Sequence, residues 1–190
     1  MDTMDLKWDA YFSNTKNMEA RPLLVEALSY VNNKNYALDL GCGVGADTRF
    51  LKANGFSVTS VDSAPEVKKF LPDAILSTYA DFSFPVEKYD LVNAQYALPF
   101  NPPSSFPEIF ERLTKSLKSG GIFTGQFFGE KDGWSHQKEM TFYTEKEIKK
   151  LLEPYKTHVF RERKENGKTA SGETKFWHVF NVIAEKKTSR

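Results

Sequence analysis

The stretch of residues 36–50 constrains the fold of this chain more than any other part of its sequence. Its first residues, Y-A-L-D-L, are mostly apolar, as in a strand buried within a parallel sheet. Three glycines follow at alternate positions: Gly41, Gly43 and Gly45. A helical apolar pattern begins at Ala46. We therefore expect a strand, a glycine turn and a helix, a unit that places backbone N–H groups and a helix N-terminus beside a nucleotide-like ligand.

The rest of the chain continues this alternation of strands and helices. Apolar and β-branched runs predict strands at 56–62, 74–79, 89–94 and 122–128, and apolar residues at helical spacing predict helices at 22–31, 65–71, 106–117 and 144–152. Asn54-Gly55 predicts the end of the helix that follows the glycine turn, and Thr144 with Glu147 predicts a capping box. Such alternation predicts a doubly wound α/β fold, with a mostly parallel sheet and right-handed crossovers.

The C-terminal part changes from this alternation to a hairpin. One predicted arm contains residues 158–160 and the other residues 176–183. The turn chemistry of E-N-G-K at 165–168 predicts the reversal, with the loop continuing to Gly172. The hairpin adds two strands at one edge of the sheet, at least one of them antiparallel, which makes seven strands in all.

Length and composition place the chain among globular proteins of one domain. It has 190 residues, 40% hydrophobic and 27% charged. The net charge of +1 gives no electrostatic footprint for nucleic acid, and no apolar run is long enough to cross a membrane. The first residues, M-D-T-M-D-L-K-W-D, are too polar for a signal peptide, and one cysteine cannot form an internal disulfide. We expect a cytoplasmic protein with no membrane partner, and nucleic acid is an unlikely partner.

The glycine turn alone leaves two kinds of ligand open. Gly41-x-Gly43-x-x-Ala46 fits the dinucleotide fingerprint, and Asp62 follows about twenty residues later, where a ribose-binding acid is expected. Asp39, however, would lie near a pyrophosphate and repel it. A carboxylate there favours a ligand with a sulfonium and an ammonium group.

The segment D-L-G-C-G-V-G resembles motif I of the class I S-adenosylmethionine-dependent methyltransferases. The predicted seven strands with a terminal hairpin also match the Rossmann-like fold of that family along nearly the whole chain. The resemblance implies S-adenosylmethionine as the cofactor, and it implies that Asp62 binds the ribose, Asp81 the adenine amine and Asp39 the amino group. Without a ligand, Asp62 and Asp81 would be ordinary turn residues.

The N-terminal patterns W-D-x-Y-F and R-P-L-L resemble those of small bacterial methyltransferases of the tellurite-resistance type. This resemblance implies that Arg21 binds the donor carboxylate, the alternative being a surface residue at a helix start. We expect one methyltransferase domain over 1–190, with a helical lid or cap at 1–33 and the core at 34–190. The predicted donor contacts are Trp8, Tyr11, Arg21, Asp39, Gly41, Cys42, Gly43, Gly45, Asp62, Ser63, Asp81, Phe82, Asn93 and Gln95.

The acceptor is less constrained, because methyl transfer needs alignment more than specific catalytic groups. Aromatic residues near the strand ends predict a pocket for a small apolar or sulfur-containing acceptor, the alternative being that they belong to the core. They are Phe12, Tyr96, Phe100, Phe128 and Trp134. His136 is the candidate general base. The three histidines are scattered and give no ligand spacing with Cys42, so a metal site is not expected.

Three other functions compete with methyl transfer to a small molecule. A nicotinamide-dependent oxidoreductase would need a substrate domain, for which the chain leaves little room after the fifth strand. A non-catalytic nucleoside-binding module would not need the complete set of acids. A nucleic-acid methyltransferase of the amine type carries N/D-P-P-Y/F, whereas this chain has N-P-P-S at 101–104, without the aromatic residue.

Overall fold

The computed structural model describes residues 11–188, so the predicted contact of Trp8 lies outside the described residues. The helices are α1 (residues 11–15), α2 (Pro22–Ala27), α3 (Ala46–Ala53), α4 (Phe106–Ser116) and α5 (Glu145–Leu151). Short 3-10 turns span Leu28–Tyr30, Pro65–Lys69 and Leu98–Phe100. The predicted helix 22–31 is thus an α-helix only in its first part.

The described strands form one mixed sheet. They are β1 (Tyr36–Leu40), β2 (Ser57–Asp62), β3 (Ile75–Leu76), β4 (Tyr89–Ala94), β5 (Leu117–Gly129), β6 (Phe142–Tyr143), β7 (Tyr155–Lys168) and β8 (Thr174–Lys186). Their order is β3-β2-β1-β4-β5-β8-β7, with β6 paired to β5. All pairs are parallel except those of β8, which is antiparallel to β5 and β7. The predicted fold class is confirmed, and the two-residue β6 brings the strand count to eight.

Core residues lie on both faces of the sheet because side chains alternate along each strand. On one face, Leu38 belongs to a cluster that includes Ile109 and Phe110 of α4. On the other face, Ala37 belongs to a cluster that includes Leu51 of α3 and residues of α2. The sheet is therefore covered by helices on both sides, as the alternation of elements predicts.

The helix cap and the helix end that the sequence predicts are both present in the structure. Thr144 and Glu147 make the reciprocal capping box at the start of α5, with the Thr144 N–H donating to the Glu147 carboxylate over 2.8 Å. Gly55 ends the segment after α3 with φ of +95°. The third strand is shorter than predicted, since only Ile75–Leu76 pair with β2 and both side chains are exposed.

The predicted position of the hairpin turn was wrong. β7 continues through 165–168, where Gly167 lies opposite Lys175, and the chain reverses at 169–173. The N–H of Thr169 donates to the carbonyl of Glu173 over 2.7 Å to close the loop. The Trp177 ring leaves little room for a side chain at position 167, so a glycine suits this place within the strand. Within residues 11–188, no helix is both long and apolar enough to span a bilayer.

Candidate functional site

The glycine turn lies at the carboxyl ends of β1, β2 and β4. Gly41, Gly43 and Gly45 have φ of +70°, +48° and +78°, in the left-handed region that favours glycine. The N–H groups of Gly41 and Cys42 both donate to the carbonyl of Val61, over 2.8 and 3.2 Å, and this ties the turn to the end of β2. The turn is therefore a fixed part of the sheet edge.

Two tyrosines lie directly against this turn. A Cβ added at Gly41 would be 2.7 Å from the hydroxyl of Tyr79, and one added at Gly43 would be 3.2 Å from the hydroxyl of Tyr11. Burial raises the pKa of both phenols. The glycines are thus needed for packing within the chain as well as for close approach of a ligand. Tyr11, a predicted donor contact, lies at the turn, whereas Tyr79 was not predicted.

Asp62 is held at the end of β2 by backbone hydrogen bonds. Its carboxylate oxygens accept from the N–H of Gly43 and the N–H of Ala64, each over 2.9 Å. Burial raises the pKa of this carboxyl group. Each oxygen has a second lone pair, and the residue is half-buried beside exposed Ser63, so the carboxylate retains acceptor capacity toward the rim of the site.

Asp81 and Phe82 lie on a loop beside this rim. Asp81 is exposed and accepts from the Thr78 hydroxyl over 2.6 Å. The Arg112 guanidinium anchors the loop through the carbonyls of Ala80 and Phe82. The Phe82 ring is 6% exposed and belongs to the core, so its side chain is not displayed at the rim.

A buried polar network extends from the glycine turn beneath α3. Asp39 is 1% exposed and accepts from the Thr48 hydroxyl over 2.5 Å and from the Asn93 amide over 2.7 Å. The Asn93 amide also donates to Asp47 over 3.2 Å. Asp47 accepts from the backbone N–H of Arg21 over 2.9 Å. The two carboxylates therefore share one amide group, and the network ends at the start of α2.

The electrostatics of this network suit a positively charged ligand. Burial, followed by the neighbouring charge of Asp47, raises the pKa of Asp39 to about 7. The side-chain carbonyl oxygen of Asn93 is fully buried without a hydrogen-bond partner among the described residues. An unpaired acceptor next to two carboxyl groups fits the ammonium and sulfonium of S-adenosylmethionine and would repel a pyrophosphate.

Asp47 was not predicted as part of the site. An acid in the first turn of a helix is a common feature, since it interacts favourably with the helix dipole. Only the arrangement in space shows that this residue faces Asn93 across the site.

Tyr96 adopts a strained backbone conformation immediately after β4. Its φ is +53°, uncommon for a residue with a side chain. Three contacts hold it there: its N–H donates to the Gln126 side chain over 2.9 Å, its hydroxyl accepts from Arg163 over 3.2 Å, and the Arg21 guanidinium lies 5.0 Å from its ring centroid. Strain maintained by several contacts is typical of functional sites.

A cavity of about 350 Å³ opens beside Tyr96 on the α2 face of the sheet. Its lining includes two predicted donor contacts, Arg21 and Gln95, and several residues that were not predicted. The full lining is Arg21, Pro22, Leu23, Gln95, Tyr96, Gln126, Arg161, Arg163 and Asn181. Because Arg21 also contacts Asp47, this cavity adjoins the polar network around Asn93.

Four of the five predicted pocket rings are gathered in one cluster, and Phe12 is not among them. Phe100 and Trp134 are each within 6.2 Å of Phe128 between ring centroids, as is Tyr96. Trp177 of β8, which was not predicted, joins them at 5.6 Å from Trp134. These four rings thus lie together, but only Tyr96 of the predicted set lines the cavity.

This cluster encloses a cation of the chain itself. The Lys175 ammonium lies 3.8 Å from the centroid of Trp134 and 4.0 Å from that of Trp177, and it pairs with the buried carboxylate of Asp132. Burial lowers the pKa of Lys175. The rings therefore hold the Lys175 ammonium by cation–π contacts, in addition to any contact that they make with an acceptor.

The remaining predicted residues lie apart from the cavity. Phe12 is 4% exposed and stacks on Phe70, with centroids 5.7 Å apart, which fits the core interpretation. Cys42, a predicted donor contact, is buried, and desolvation raises the pKa of its thiol. His136 is exposed in the loop between β5 and β6 and does not line the cavity.

Comparison with known proteins gives a consistent result. Residues 14–160 match a family model described as a methyltransferase domain. A 2-methyl-6-phytyl-1,4-hydroquinone methyltransferase from Synechocystis is 27% identical over 133 residues, covering 65% of this chain and 41% of the relative. The chain thus spans about two fifths of the length of this curated relative.

Solved structures share the fold at low sequence identity. TehB from Haemophilus influenzae has a TM-score of 0.73 and 19% identity, covering 86% of this chain and 61% of its own. The 1,6-didemethyltoxoflavin-N1-methyltransferase from Burkholderia thailandensis, solved with 1,6-didemethyltoxoflavin and S-adenosylhomocysteine, has a TM-score of 0.69 and 18% identity, covering 97% and 88%. These likenesses show that the chain shares the fold of both proteins.

Proposed function

The chain belongs to the methyltransferase domain family, and from that premise we propose that it transfers a methyl group from S-adenosylmethionine to a small organic acceptor. The observation that carries this proposal is the buried group formed by Asp39, Asp47 and the unpaired carbonyl oxygen of Asn93. It supplies hydrogen-bond acceptors and negative charge beside the glycine turn. A cationic donor needs both.

Each part of the site has a role in holding the donor. The backbone of the glycine turn and the half-buried carboxylate of Asp62 would bind the adenosine, with Asp62 accepting from ribose hydroxyls and Asp81 available to the adenine amine. Asp39 and Asn93 would bind the ammonium. Arg21, whose guanidinium lies between Asp47 and Tyr96, would bind the donor carboxylate as a fork. In this proposal residues 11–33 act as the cap.

The bound donor supplies a methyl group on a sulfonium: the acceptor's lone pair forms the new bond to carbon as the carbon–sulfur bond breaks, with its electron pair remaining on sulfur. The protein has to align the acceptor and exclude water. Burial of Asp39, Asn93 and Gln95 keeps the floor of the site dry. A base is needed only where the acceptor must lose a proton, and His136 stays the predicted candidate for that role.

Two observations support a small acceptor. The cavity of about 350 Å³ lies in the size range of sites for small organic ligands. The named relatives methylate a hydroquinone and a toxoflavin precursor, both small organic molecules. The predicted cytoplasmic location stays a prediction.

Titration calorimetry tests the proposal directly. S-adenosylmethionine and S-adenosylhomocysteine should bind and NAD should not. Asp62→Asn should weaken S-adenosylhomocysteine binding about tenfold, because it removes a charged acceptor. The exposed Asp73→Asn is the matched control and should leave the affinity unchanged. NAD binding without a response to the two adenosyl compounds would contradict the proposal.

A further inference from the structure

The cavity beside Tyr96 has an unusual charge pattern. Three guanidinium groups line it, from Arg21, Arg161 and Arg163, and no carboxylate is among its described lining residues. The acids that pair with Arg161 and Arg163 are Glu26 and Glu165, which lie outside the lining. Each guanidinium has five N–H donors, and these contacts occupy only part of that capacity.

The polar floor of the cavity is built by strand register. Arg161 of β7 lies opposite Asn181 of β8, and Asn181 lies opposite Gln126 of β5. The Gln126 amide donates to Asn181 over 3.2 Å and to Gln95, the residue after β4, over 2.8 Å. A row of side chains thus crosses β7, β8 and β5 and reaches the end of β4, and its amides hold one another in position.

The row is continuous with the network that would hold the donor. Gln126 also accepts from the N–H of Tyr96, whose hydroxyl accepts from Arg163. Arg21 connects Tyr96 to Asp47 on the donor side. The two cations on β7 therefore face the donor site from the far side of the cavity.

We propose that the methyl acceptor carries a carboxylate, which Arg161 and Arg163 bind at the far side of this cavity. The inference rests on the proposed methyltransferase function. Guanidinium groups match the geometry of a carboxylate, and both arginines are partly exposed, with side chains 56% and 36% accessible, so they can reach a ligand at the mouth. The wall of Pro22 and Leu23 and the volume of about 350 Å³ fit an organic body and exceed a bare oxyanion.

The carboxylate is a binding group in this arrangement, and a different atom of the acceptor receives the methyl group. Its oxygen lone pairs accept hydrogen bonds from guanidinium N–H groups, which reduces their nucleophilicity. Lying at the far side of the cavity, it directs the rest of the molecule past the amide row toward the donor. Neutral analogues of the same shape are therefore expected to bind more weakly.

Binding of benzoate to the complex with S-adenosylhomocysteine tests this inference, with benzamide as its neutral isostere, benzylamine as the cationic analogue and tellurite as a small oxyanion. We expect benzoate to bind at least about tenfold more tightly than each of the other three, because bonds between charged groups are the stronger ones. The double variant Arg161→Gln, Arg163→Gln should remove this preference. Lys164→Gln is the matched control: it removes a positive charge from the residue next to Arg163, on the opposite face of β7, where Lys164 pairs with Glu162.

The outcomes separate this inference from the proposed function. Benzoate that binds no better than benzamide, or a preference that survives the double variant, overturns the carboxylate site. Tellurite binding as tightly as benzoate would show a general oxyanion site and would overturn the organic acceptor. The affinity for S-adenosylhomocysteine is measured separately in every variant, and failure of the wild-type protein to bind it would contradict the methyltransferase proposal itself.

Discussion

Raising the pH from 6 to 8 should tighten donor binding about tenfold, because Asp39 must be ionised to hold a cation. Burial and the charge of Asp47 raise the pKa of Asp39 to about 7, while hydrogen bonds from Thr48 and Asn93 act in the opposite direction. About a tenth of the molecules are then ionised at pH 6 and about nine tenths at pH 8. If only the ionised form holds the donor, the apparent Kd falls by the ratio of these two fractions, about tenfold. This change corresponds to about 1.4 kcal/mol of binding free energy.

The assay is calorimetry with S-adenosylhomocysteine at pH 6, 7 and 8 on the wild-type protein and on Asp39→Asn. The variant should bind weakly at every pH and lose the contribution of Asp39. The amino group of the ligand titrates equally in both experiments, so the difference between the two proteins isolates the carboxyl group. Asp90→Asn is the matched control, because Asp90 is also buried but lies at the opposite end of β4, bonded to Tyr36 and Lys118.

The same shift predicts a change in stability with pH. A carboxyl group whose pKa is raised on folding binds more protons in the folded state, so its contribution to stability is largest at low pH and is lost as the pH rises from about 4 to 7. Asp39→Asn should lack this loss. Equal pH dependence of binding in Asp39→Asn and wild type would show that ionised Asp39 does not hold the donor.

Two further substitutions test the packing around the site. Gly41→Ala should destabilise the fold by about 2 kcal/mol or more, because the new Cβ would be 2.7 Å from both Ala97 and Tyr79. Gly55→Ala should cost only about 1 kcal/mol, since Gly55 has a positive φ but open space around it. Chemical denaturation compares the two variants, and equal losses of stability would count against the tight turn. Lys175→Met should cost about 3–5 kcal/mol of stability, because it leaves the Asp132 carboxylate buried without its cation. The double variant Lys175→Met, Asp132→Asn should recover most of that stability in the same measurement. No recovery would argue against the broken ion pair as the cause of the loss.

The sequence predicts which residues lie together around the glycine turn, because its signals there are local. The glycine turn, Asp39 and Asp62 are fixed by positions within one strand–turn–helix unit and the strand that follows it. In a parallel sheet the carboxyl ends of strands meet at one edge, so their last residues are expected together before any coordinates are known. Asn93 and Gln95 follow from the same rule.

The acceptor side is harder to predict because it depends on the register of an antiparallel hairpin. With the turn at 165–168, Arg161 would lie opposite the region of Gly172. The actual turn at 169–173 places it opposite Asn181 and in line with Gln126. Before the register is known, Arg161 and Arg163 look like a solvated charged strand, since only pairing across the sheet turns them toward a cavity.

The aromatic cluster shows a second limit of the same kind. Phe128 and Trp134 lie close together in the sequence, and their rings meet as predicted. The cation between them comes from Lys175, which joins them only because β8 lies beside β5 and the Asp132 carboxylate is buried there. A lysine in a polar hairpin has no local feature that distinguishes it from an exposed one.

A crystal structure with S-adenosylhomocysteine would locate the donor in the site. We expect the ribose at Asp62, and the ammonium within hydrogen-bond distance of the Asn93 carbonyl oxygen and the Asp39 carboxylate. The Tyr11 and Tyr79 hydroxyls should move away from Gly43 and Gly41 and border the ligand at the glycine turn. A ligand bound elsewhere, with Asn93 still unpaired and both hydroxyls unmoved against Gly43 and Gly41, would contradict this placement.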